Sequence, residues 1–168
     1  MKLRRWALPL SAAASAVLLT AVQAPTASAA TFTAELVARH SQKCVSVEGA
    51  STQNGAAAVQ WDCVDGPNQK WKLVATSAGY YTIAAVNSGK CLSIEGVSVQ
   101  DNARAVQWDC VNGRNQEWRL VQKDSGYFSI EARHSGKCLS VSNVSTQNGA
   151  GLVQWDCVEG TNQHFRLG

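Results

Sequence analysis

The chain has 168 residues, of which 15 are lysine or arginine and 12 are aspartate or glutamate. A hydrophobic content of 45% with 16% charged residues is typical of a folded globular protein rather than a disordered chain. This length accommodates one domain or two very small ones, which excludes a large multidomain enzyme.

The N-terminal segment has the features of a cleaved secretory signal peptide. Lys2, Arg4 and Arg5 give a positively charged start, and an alanine-rich apolar stretch follows. Residues 27–29 (Ala-Ser-Ala) then supply the small side chains that signal peptidase requires. Because the apolar stretch is too short to span a bilayer, we predict that residues 1–29 are removed and that the protein is secreted.

The basic character of the chain belongs to this segment. Its removal takes away three basic residues and no acidic ones, which leaves 12 of each. No cluster of lysine or arginine is left to bind nucleic acid or anionic lipid, so we expect no nucleic-acid partner and no membrane insertion. An extracellular location also predicts that the six cysteines form disulfide bonds.

Three tandem repeats of 47 residues make up the rest of the chain, over about 31–80, 81–127 and 128–168. The run VQWDCV occurs three times at this period, and an Asn-Gln pair follows each copy. An aromatic residue comes two positions after each of these glutamines, at Trp71, Trp118 and Phe165. The cysteines fall in the same register, two in each repeat and 19 positions apart.

Three pairings of the six cysteines preserve the three-fold symmetry. One closes each repeat on itself, and the other two link neighbouring repeats in a cycle that cannot form until the whole chain has folded. We favour the first set because it requires only two strands to meet. Its pairs are Cys44–Cys63, Cys91–Cys110 and Cys138–Cys157. The close CxxC-type spacing of zinc ligands is missing, and we expect no metal and no cofactor.

Each repeat consists of short segments rich in Val, Leu, Trp and Tyr, which clusters of Gly, Asn, Ser and Asp separate. The predicted strands of the first repeat are 33–39, 43–48, 57–63 and 69–75. The second and third repeats continue the same scheme, beginning with the strands 81–85 and 128–132. The STQNGA runs at Ser51 and Ser145 are interpreted as turns between strands. Because helical periodicity is missing, about four strands per repeat predict an all-β fold of about twelve strands.

The repeated motifs resemble those of the ricin B-type lectin domain, which is called a family 13 carbohydrate-binding module when it is attached to bacterial glycosidases. The pattern KC-[LV]-x-[VI], then QWDC, then NQ-x-W covers essentially all of 31–168. The resemblance implies a β-trefoil, in which six strands form a barrel and six form a cap of hairpins, with up to three sugar sites. The N-terminal segment also resembles those of secreted actinobacterial proteins.

By this resemblance, two sets of aromatic residues have different roles. The aromatic residue of the Q-x-W motif fills the barrel core. The tryptophan of QWDC lies on the strand that faces the sugar, where a flat indole can stack on the apolar face of a pyranose. These tryptophans are Trp61, Trp108 and Trp155. The alternative is that they cover the disulfide bonds.

Sugar hydroxyls also need directional polar partners. In the family, an Asp two residues after the first cysteine of the repeat accepts two hydroxyls, and the Asn of the Asn-Gln pair adds a hydrogen bond. The asparagines are present at Asn68, Asn115 and Asn162. The aspartate is replaced at Ser46, Ser93 and Ser140. Because serine cannot make the short bidentate contact of a carboxylate, we expect the serines to contribute weakly and no site of the usual galactose-binding kind.

Two glutamates are candidates to replace the missing carboxylate. Glu48 and Glu95 follow two residues after the serines of the first two repeats, and we predict them on the same strand face. The third repeat has Ser142 at this position, so the replacement would be incomplete.

No catalytic residues are predicted. His40 and His134 occupy equivalent positions, but the middle repeat has Asn87 there, so the repeat does not require an imidazole. His164 lies at the variable centre of its Q-x-F motif, and we expect it to be exposed. No G-x-S-x-G elbow, HExxH motif or phosphate-binding loop occurs, which indicates a protein that is not an enzyme.

The sequence therefore predicts a secreted, monomeric β-trefoil lectin that binds a mono-, oligo- or polysaccharide in up to three pockets. The alternative is a degenerate trefoil scaffold that binds a protein partner, as an inhibitor or a toxin-associated subunit, without binding sugar. The serine substitutions favour this alternative. The same candidate site in all three repeats favours the lectin, because a single protein partner would contact only one face.

Overall fold

The computed structural model describes residues 30–76 and 79–168, and the predicted signal peptide, 1–29, lies outside the described residues. Twelve β-strands and short turns form the described part of the chain, as predicted. The strands are β1 (Thr31–Ala38), β2 (Cys44–Val47), β3 (Ala58–Trp61), β4 (Lys70–Ala75), β5 (Tyr81–Ala85), β6 (Cys91–Ile94), β7 (Ala105–Trp108), β8 (Glu117–Gln122), β9 (Phe128–Ala132), β10 (Cys138–Val141), β11 (Leu152–Trp155) and β12 (His164–Leu167).

Single turns of 3-10 helix follow several strands. They are Glu48–Ala50, Glu95–Val97, Arg114–Gln116, Asp124–Gly126, Ser142–Val144 and Thr161–Gln163. Within residues 30–76 and 79–168, no helix is long and apolar enough to cross a membrane.

Six strands form a closed antiparallel barrel. Strand β1 pairs with β4, and the ring continues through β5, β8, β9 and β12. It closes where β12 pairs with β1, with Leu36 opposite Leu167. Closure leaves the barrel without a free edge at which another chain could add a strand.

The other six strands form three hairpins, β2–β3, β6–β7 and β10–β11. Each hairpin is attached to a barrel strand, through β1, β5 and β9 respectively. Three isolated β-bridges join the hairpins to one another: Ala57–Val106, Val59–Gly151 and Arg104–Val153. Barrel and hairpin cap together make the β-trefoil that the resemblance implied.

The core lies inside the barrel and under the cap. Trp71, Trp118 and Phe165 are at most 1% exposed, which confirms the core role implied for the Q-x-W aromatics. The indole N–H of Trp71 donates to the carbonyl of Val45 at 2.9 Å, and the equivalent bond of the second repeat is 3.0 Å long. These bonds attach a barrel strand to a hairpin strand of the same repeat.

The disulfide bonds join Cys44–Cys63, Cys91–Cys110 and Cys138–Cys157, which confirms the pairing within each repeat. The first cysteine of each pair begins the first hairpin strand, and the QWDC tryptophan lies opposite it in the ladder. Each bond therefore fixes the end of the hairpin that carries the exposed tryptophan. By chain entropy, a closed loop of this length contributes about 3 kcal/mol of stability.

The two classes of tryptophan predict different costs of truncation. Trp118→Ala should lower the free energy of unfolding by about 3–5 kcal/mol, because it removes a fully buried ring from the core. Trp108→Ala should cost about 1 kcal/mol or less, because its side chain is 44% exposed. Urea denaturation of the oxidised protein, followed by circular dichroism, measures both. An equal cost for both variants would favour the role of Trp108 as a cover for the disulfide bond.

Candidate functional site

Two surface pockets lie between a hairpin and the turns beside it. The pocket of the first repeat has a volume of about 220 Å³ and that of the third repeat about 240 Å³. Their linings bring together the sequence-predicted serine, tryptophan and asparagine of each repeat: Ser46, Trp61 and Asn68 in the first, and Ser140, Trp155 and Asn162 in the third. In the second repeat the amide of Asn115 contacts the hydroxyl of Ser93 at 3.0 Å, and Trp108 ends the adjoining hairpin strand.

The tryptophans are available to a ligand. Trp61, Trp108 and Trp155 are 46%, 44% and 43% exposed, and each is the last residue of the second hairpin strand. Within the described residues, their indole N–H groups donate no hydrogen bond. Each ring therefore offers an open apolar face and one donor, which is the combination that a stacking platform requires.

The polar floor of the pocket is hydrogen-bonded inside the protein. Ser46 is only 3% exposed, and its hydroxyl accepts from Nδ2 of Asn68 at 2.9 Å. The same Nδ2 also donates to the carbonyl of Val47 at 3.1 Å. Both amide hydrogens are therefore occupied, and the amide oxygen is left as an acceptor. The second repeat has the same arrangement.

The third repeat differs in this floor. Nδ2 of Asn162 donates only to the carbonyl of Val141, at 3.0 Å. The hydroxyl of Ser140 instead accepts from Nε2 of Gln163 at 2.8 Å and donates to the carbonyl of Cys138 at 3.3 Å. Among the described residues, one N–H of the Asn162 amide thus has no acceptor.

A glycine two residues before each asparagine makes room for the amide. A Cβ atom built on Gly113 would lie 2.6 Å from Oδ1 of Asn115, and the equivalent distance from Gly66 to Asn68 is 2.7 Å. The backbone of Gly113 has φ −76° and ψ 146°, which any residue adopts. The close approach of the amide, and not the backbone conformation, therefore requires glycine.

The 3-10 turn after the first hairpin strand forms one wall of the pocket, which the sequence analysis did not identify. Gly49 and Ala50 line the first pocket, and Asn143 and Val144 line the third. Val144 has φ 53° and is 58% exposed, an unusual conformation for a β-branched residue. The signal in the sequence was a variable triplet at a fixed position, EGA, EGV and SNV.

The predicted position of the two glutamates is wrong. Glu48 and Glu95 begin the 3-10 turns and do not belong to the preceding strands. The chain turns there because the following Gly49 and Gly96 adopt positive φ values of 58° and 62°. Glu48 lines the first pocket, and Glu95 contacts Arg104 at 3.4 Å.

Each tryptophan also lies beside a loop of another repeat. A Cβ atom on Gly149 of the third repeat would lie 3.8 Å from Cζ3 of Trp61, and one on Gly55 of the first repeat would lie 3.7 Å from Cζ3 of Trp108. Asn102 of the second repeat lines the pocket of Trp155. The tryptophans therefore lie near the seams between repeats, and in the third pocket a residue of the second repeat belongs to the lining.

The buried glutamine of QWDC holds this loop. Gln60 is 0% exposed, and its Nε2 donates to the carbonyls of Ser145 and Gln147 at 2.6 and 2.9 Å. His40 donates from Nε2 to the same Ser145 carbonyl at 2.8 Å. Asn87 and His134 bond the equivalent loops of the first and second repeats, so these residues position pocket walls.

The aspartate of QWDC bonds the corresponding loop from the solvent side, as Asp109 does with the loop of the first repeat. Asp109 accepts from Nδ2 of Asn54 at 2.8 Å and from the ammonium of Lys90. The Lys90 ammonium and, to a smaller degree, the Asn54 amide hold the pKa of Asp109 below its ordinary value. In the third repeat, hydrogen bonds from Lys137 to Asp101 and Asp156 raise the lysine pKa.

The expectation that His164 is exposed is wrong. Its exposure is 6%, because it lies on barrel strand β12 opposite Ser129. Its Nε2 is 3.4 Å from the Glu159 carboxylate. The imidazole is outside both pockets described above.

The comparisons with known proteins agree with this geometry. The model of the family described as ricin-type beta-trefoil lectin domain-like matches residues 22–108, 68–155 and 114–168. Comparison with curated protein sequences gave no match.

Several solved structures are similar. ThreeFoil, a designed three-fold symmetric protein, is 46% identical with a TM-score of 0.79, over 80% of this chain and 96% of that chain. An exo-beta-1,3-galactanase from Clostridium thermocellum is 34% identical with a TM-score of 0.78, over 85% of this chain and 30% of that chain. The Macrolepiota procera ricin B-like lectin in complex with lactose, at 20% identity and TM-score 0.71 over 86% and 98% of the two chains, shares the fold.

Gly113→Ala should displace the Asn115 amide from the pocket floor. The new Cβ would overlap Oδ1, and loss of the bonds to Ser93 and Ile94 should lower the free energy of unfolding by about 1–2 kcal/mol. Side-chain amide signals in nuclear magnetic resonance (NMR) spectra and urea denaturation measure these effects. The matched control is Gly151→Ala, where a Cβ atom meets nothing within 4 Å. Equal losses of unfolding free energy in the two variants would contradict the conclusion that the Asn115 amide requires a glycine at position 113.

The ionised carboxylate of Asp109 should stabilise the fold at pH values above its ordinary pKa. This contribution should be lost as the pH falls through the lower pKa of the folded state. The difference in unfolding free energy between the wild type and Asp109→Asn should therefore be largest near neutral pH, begin to fall near about pH 4, the ordinary pKa of an aspartate, and vanish only at a pH below the lowered folded-state pKa. Denaturation from pH 7 to pH 2 at low salt measures this difference. As a control, Lys90→Gln should bring the Asp109 pKa, read from its carboxyl carbon signal, back toward its ordinary value; an unchanged pKa would refute the assigned cause.

Proposed function

Because the chain belongs to the ricin-type beta-trefoil lectin domain-like family, we propose that it is a secreted, monomeric module that binds carbohydrate without converting it. The three disulfide bonds support an extracellular location, because such bonds persist in oxidising compartments. The predicted signal peptide over 1–29 supports the same location. We place the binding domain over 30–168 and infer no cofactor for it.

One observation carries the proposal. A half-exposed indole borders a hydrogen-bonded polar floor, and this arrangement recurs with the repeat. An apolar ring face with a few convergent polar groups is the chemistry that a saccharide site needs. In this proposal Trp61, Trp108 and Trp155 stack on the sugar ring and can donate from the indole nitrogen.

The asparagines and the serines have different roles in this proposal. We propose that Asn68, Asn115 and Asn162 offer the amide oxygen to a sugar hydroxyl. Ser46, Ser93 and Ser140 lie beneath them and are at most 3% exposed, so they contribute weakly, mainly by hydrogen bonds within the floor. Without a carboxylate at this position, single sites should have affinities of about millimolar, roughly −4 kcal/mol. Several sites on one molecule raise the avidity for a polysaccharide.

The alternative function is binding of a protein partner by a scaffold that has lost sugar recognition. This alternative is supported by the serine that stands, buried, in all three repeats where the family has an aspartate. Without the carboxylate, charge-assisted hydrogen bonds to a sugar are lost. The repeated exposure of the three indoles favours carbohydrate, because one protein partner would bury one face of the molecule and leave two indoles unused.

Replacing Trp61, Trp108 and Trp155 by alanine together should abolish binding on an array of glycans and polysaccharides, including galactans and lactose-bearing glycans. The array uses oxidised protein comprising residues 30–168, displayed multivalently because single sites are weak. The matched control replaces the same three residues by phenylalanine, which keeps an aromatic face and should retain part of the binding. Circular dichroism and thermal unfolding must show that both variants stay folded.

A blank array from the folded wild-type protein would reject the carbohydrate proposal and favour the protein-binding alternative. Unchanged binding by the triple alanine variant would reject the assignment of the tryptophans and leave carbohydrate binding intact. Cooperative unfolding that is lost in the alanine variant would show that these rings are structural.

A further inference from the structure

The pockets differ at one loop position. Gly55, Asn102 and Gly149 occupy the same place in the three repeats, and their backbones share the left-handed region, with φ 82°, 66° and 81°. Glycine and asparagine both tolerate this conformation. Only the loop of the second repeat therefore carries a side chain at this position.

This side chain belongs to the third pocket. Asn102 and Trp155 line it together, and in the other repeats a Cβ atom at the same place would lie 3.7 or 3.8 Å from the neighbouring indole ring. The backbone N–H of Asn102 donates to the carbonyl of Gln154 at 2.9 Å, which holds the loop. Its side-chain amide makes no hydrogen bond within residues 30–76 and 79–168, so a donor and an acceptor are available beside the ring.

The rest of the third pocket is uncharged and includes exposed apolar side chains. Val144 and Val158 line it and are 58% and 63% exposed. Ser142 stands where the first pocket has the carboxylate of Glu48, and none of the described residues that line the third pocket is charged. The Asn162 amide supplies one further N–H without an acceptor among them.

An acetamido group matches this lining. It combines a planar amide, with one donor and one acceptor, and a methyl group. A carboxamide side chain can pair with both polar atoms of another amide, and exposed valines provide apolar contact for a methyl group. A hydroxyl at the same place would leave the valines uncovered, and a carboxylate sugar would meet no cation in the lining.

We propose that the third pocket selects sugars that carry an acetamido substituent and that Asn102, contributed by the second repeat, determines this selectivity. The inference rests on the proposed carbohydrate function. It also makes the sites unequal: Gly149 lies beside Trp61 and offers no side-chain amide, and the first pocket is lined by the carboxylate of Glu48.

Site-resolved titration tests the proposal. The oxidised protein, labelled with ¹⁵N, is titrated with N-acetylglucosamine, glucose, N-acetylgalactosamine and galactose. The three exposed indole N–H signals report each pocket separately, once single Trp→Phe variants have assigned them. We expect the Trp155 signal to respond to one or both acetamido sugars with an affinity about three- to tenfold above that for the parent sugar, the range expected for one or two added hydrogen bonds.

Two reciprocal substitutions separate Asn102 from the rest of the pocket. Asn102→Gly recreates the loop of the other repeats, and the left-handed φ of 66° makes it compatible with the fold. It should reduce the preference at Trp155 to less than twofold. Gly149→Asn should create a preference at Trp61, since a Cβ atom there has only an ordinary contact at 3.8 Å. Gly136→Asn, at a left-handed position with nothing within 4 Å, is the control and should change neither signal.

The outcomes distinguish this inference from the function on which it rests. Equal affinities of Trp155 for acetamido and parent sugars, or an unchanged preference in Asn102→Gly, would overturn the inference and leave carbohydrate binding standing. No response of any exposed indole to the four sugars, together with a blank polysaccharide array, would overturn both.

Discussion

The pairing of β12 with β1 is the constraint on which the rest of the molecule depends. It closes the barrel at Leu36 and Leu167 and brings the third repeat against the first. Only then can the loop around Gly149 lie beside Trp61, and only then can Gln60 bond the carbonyls of that loop. Because a barrel has no edge strands, the same closure also leaves no barrel edge at which another chain could add a strand.

The contrasting positions of Trp61 and Trp71 show how one repeat serves both fold and site. Trp71 lies on a barrel strand with its ring inside and its N–H bonded to Val45, so it is 0% exposed. Trp61 ends a hairpin strand opposite Cys44, where the disulfide bond fixes the strand end and the ring is 46% exposed. Stability and candidate binding thus rest on separate aromatic residues, which allows one set to change without the other.

Much of the fold could be predicted from the sequence because its determinants are local. The period of 47 residues, the alternation within strands and the intra-repeat disulfide bonds each involve residues close together in the chain. The loops of other repeats that lie beside the tryptophans could not be predicted, because Asn54 meets Asp109 and Gln60 meets Ser145 only after repeats pack together. The burial of His164 was missed for a similar reason, since a variable position in a motif carries no sign of the strand that packs against it.

The pocket combines positions that packing restricts with positions that it leaves open. Asn115 cannot be accommodated without Gly113 and is bonded to Ser93 and Ile94. The first repeat has the same floor, and the third keeps the glycine and the asparagine but bonds its serine to Gln163. The left-handed loop position at Asn102 accepts glycine or asparagine with little effect on the backbone, yet its side chain lies in a pocket. A change there alters what the pocket contacts without altering what holds the fold, and it is therefore where three copies of one site can acquire different ligands.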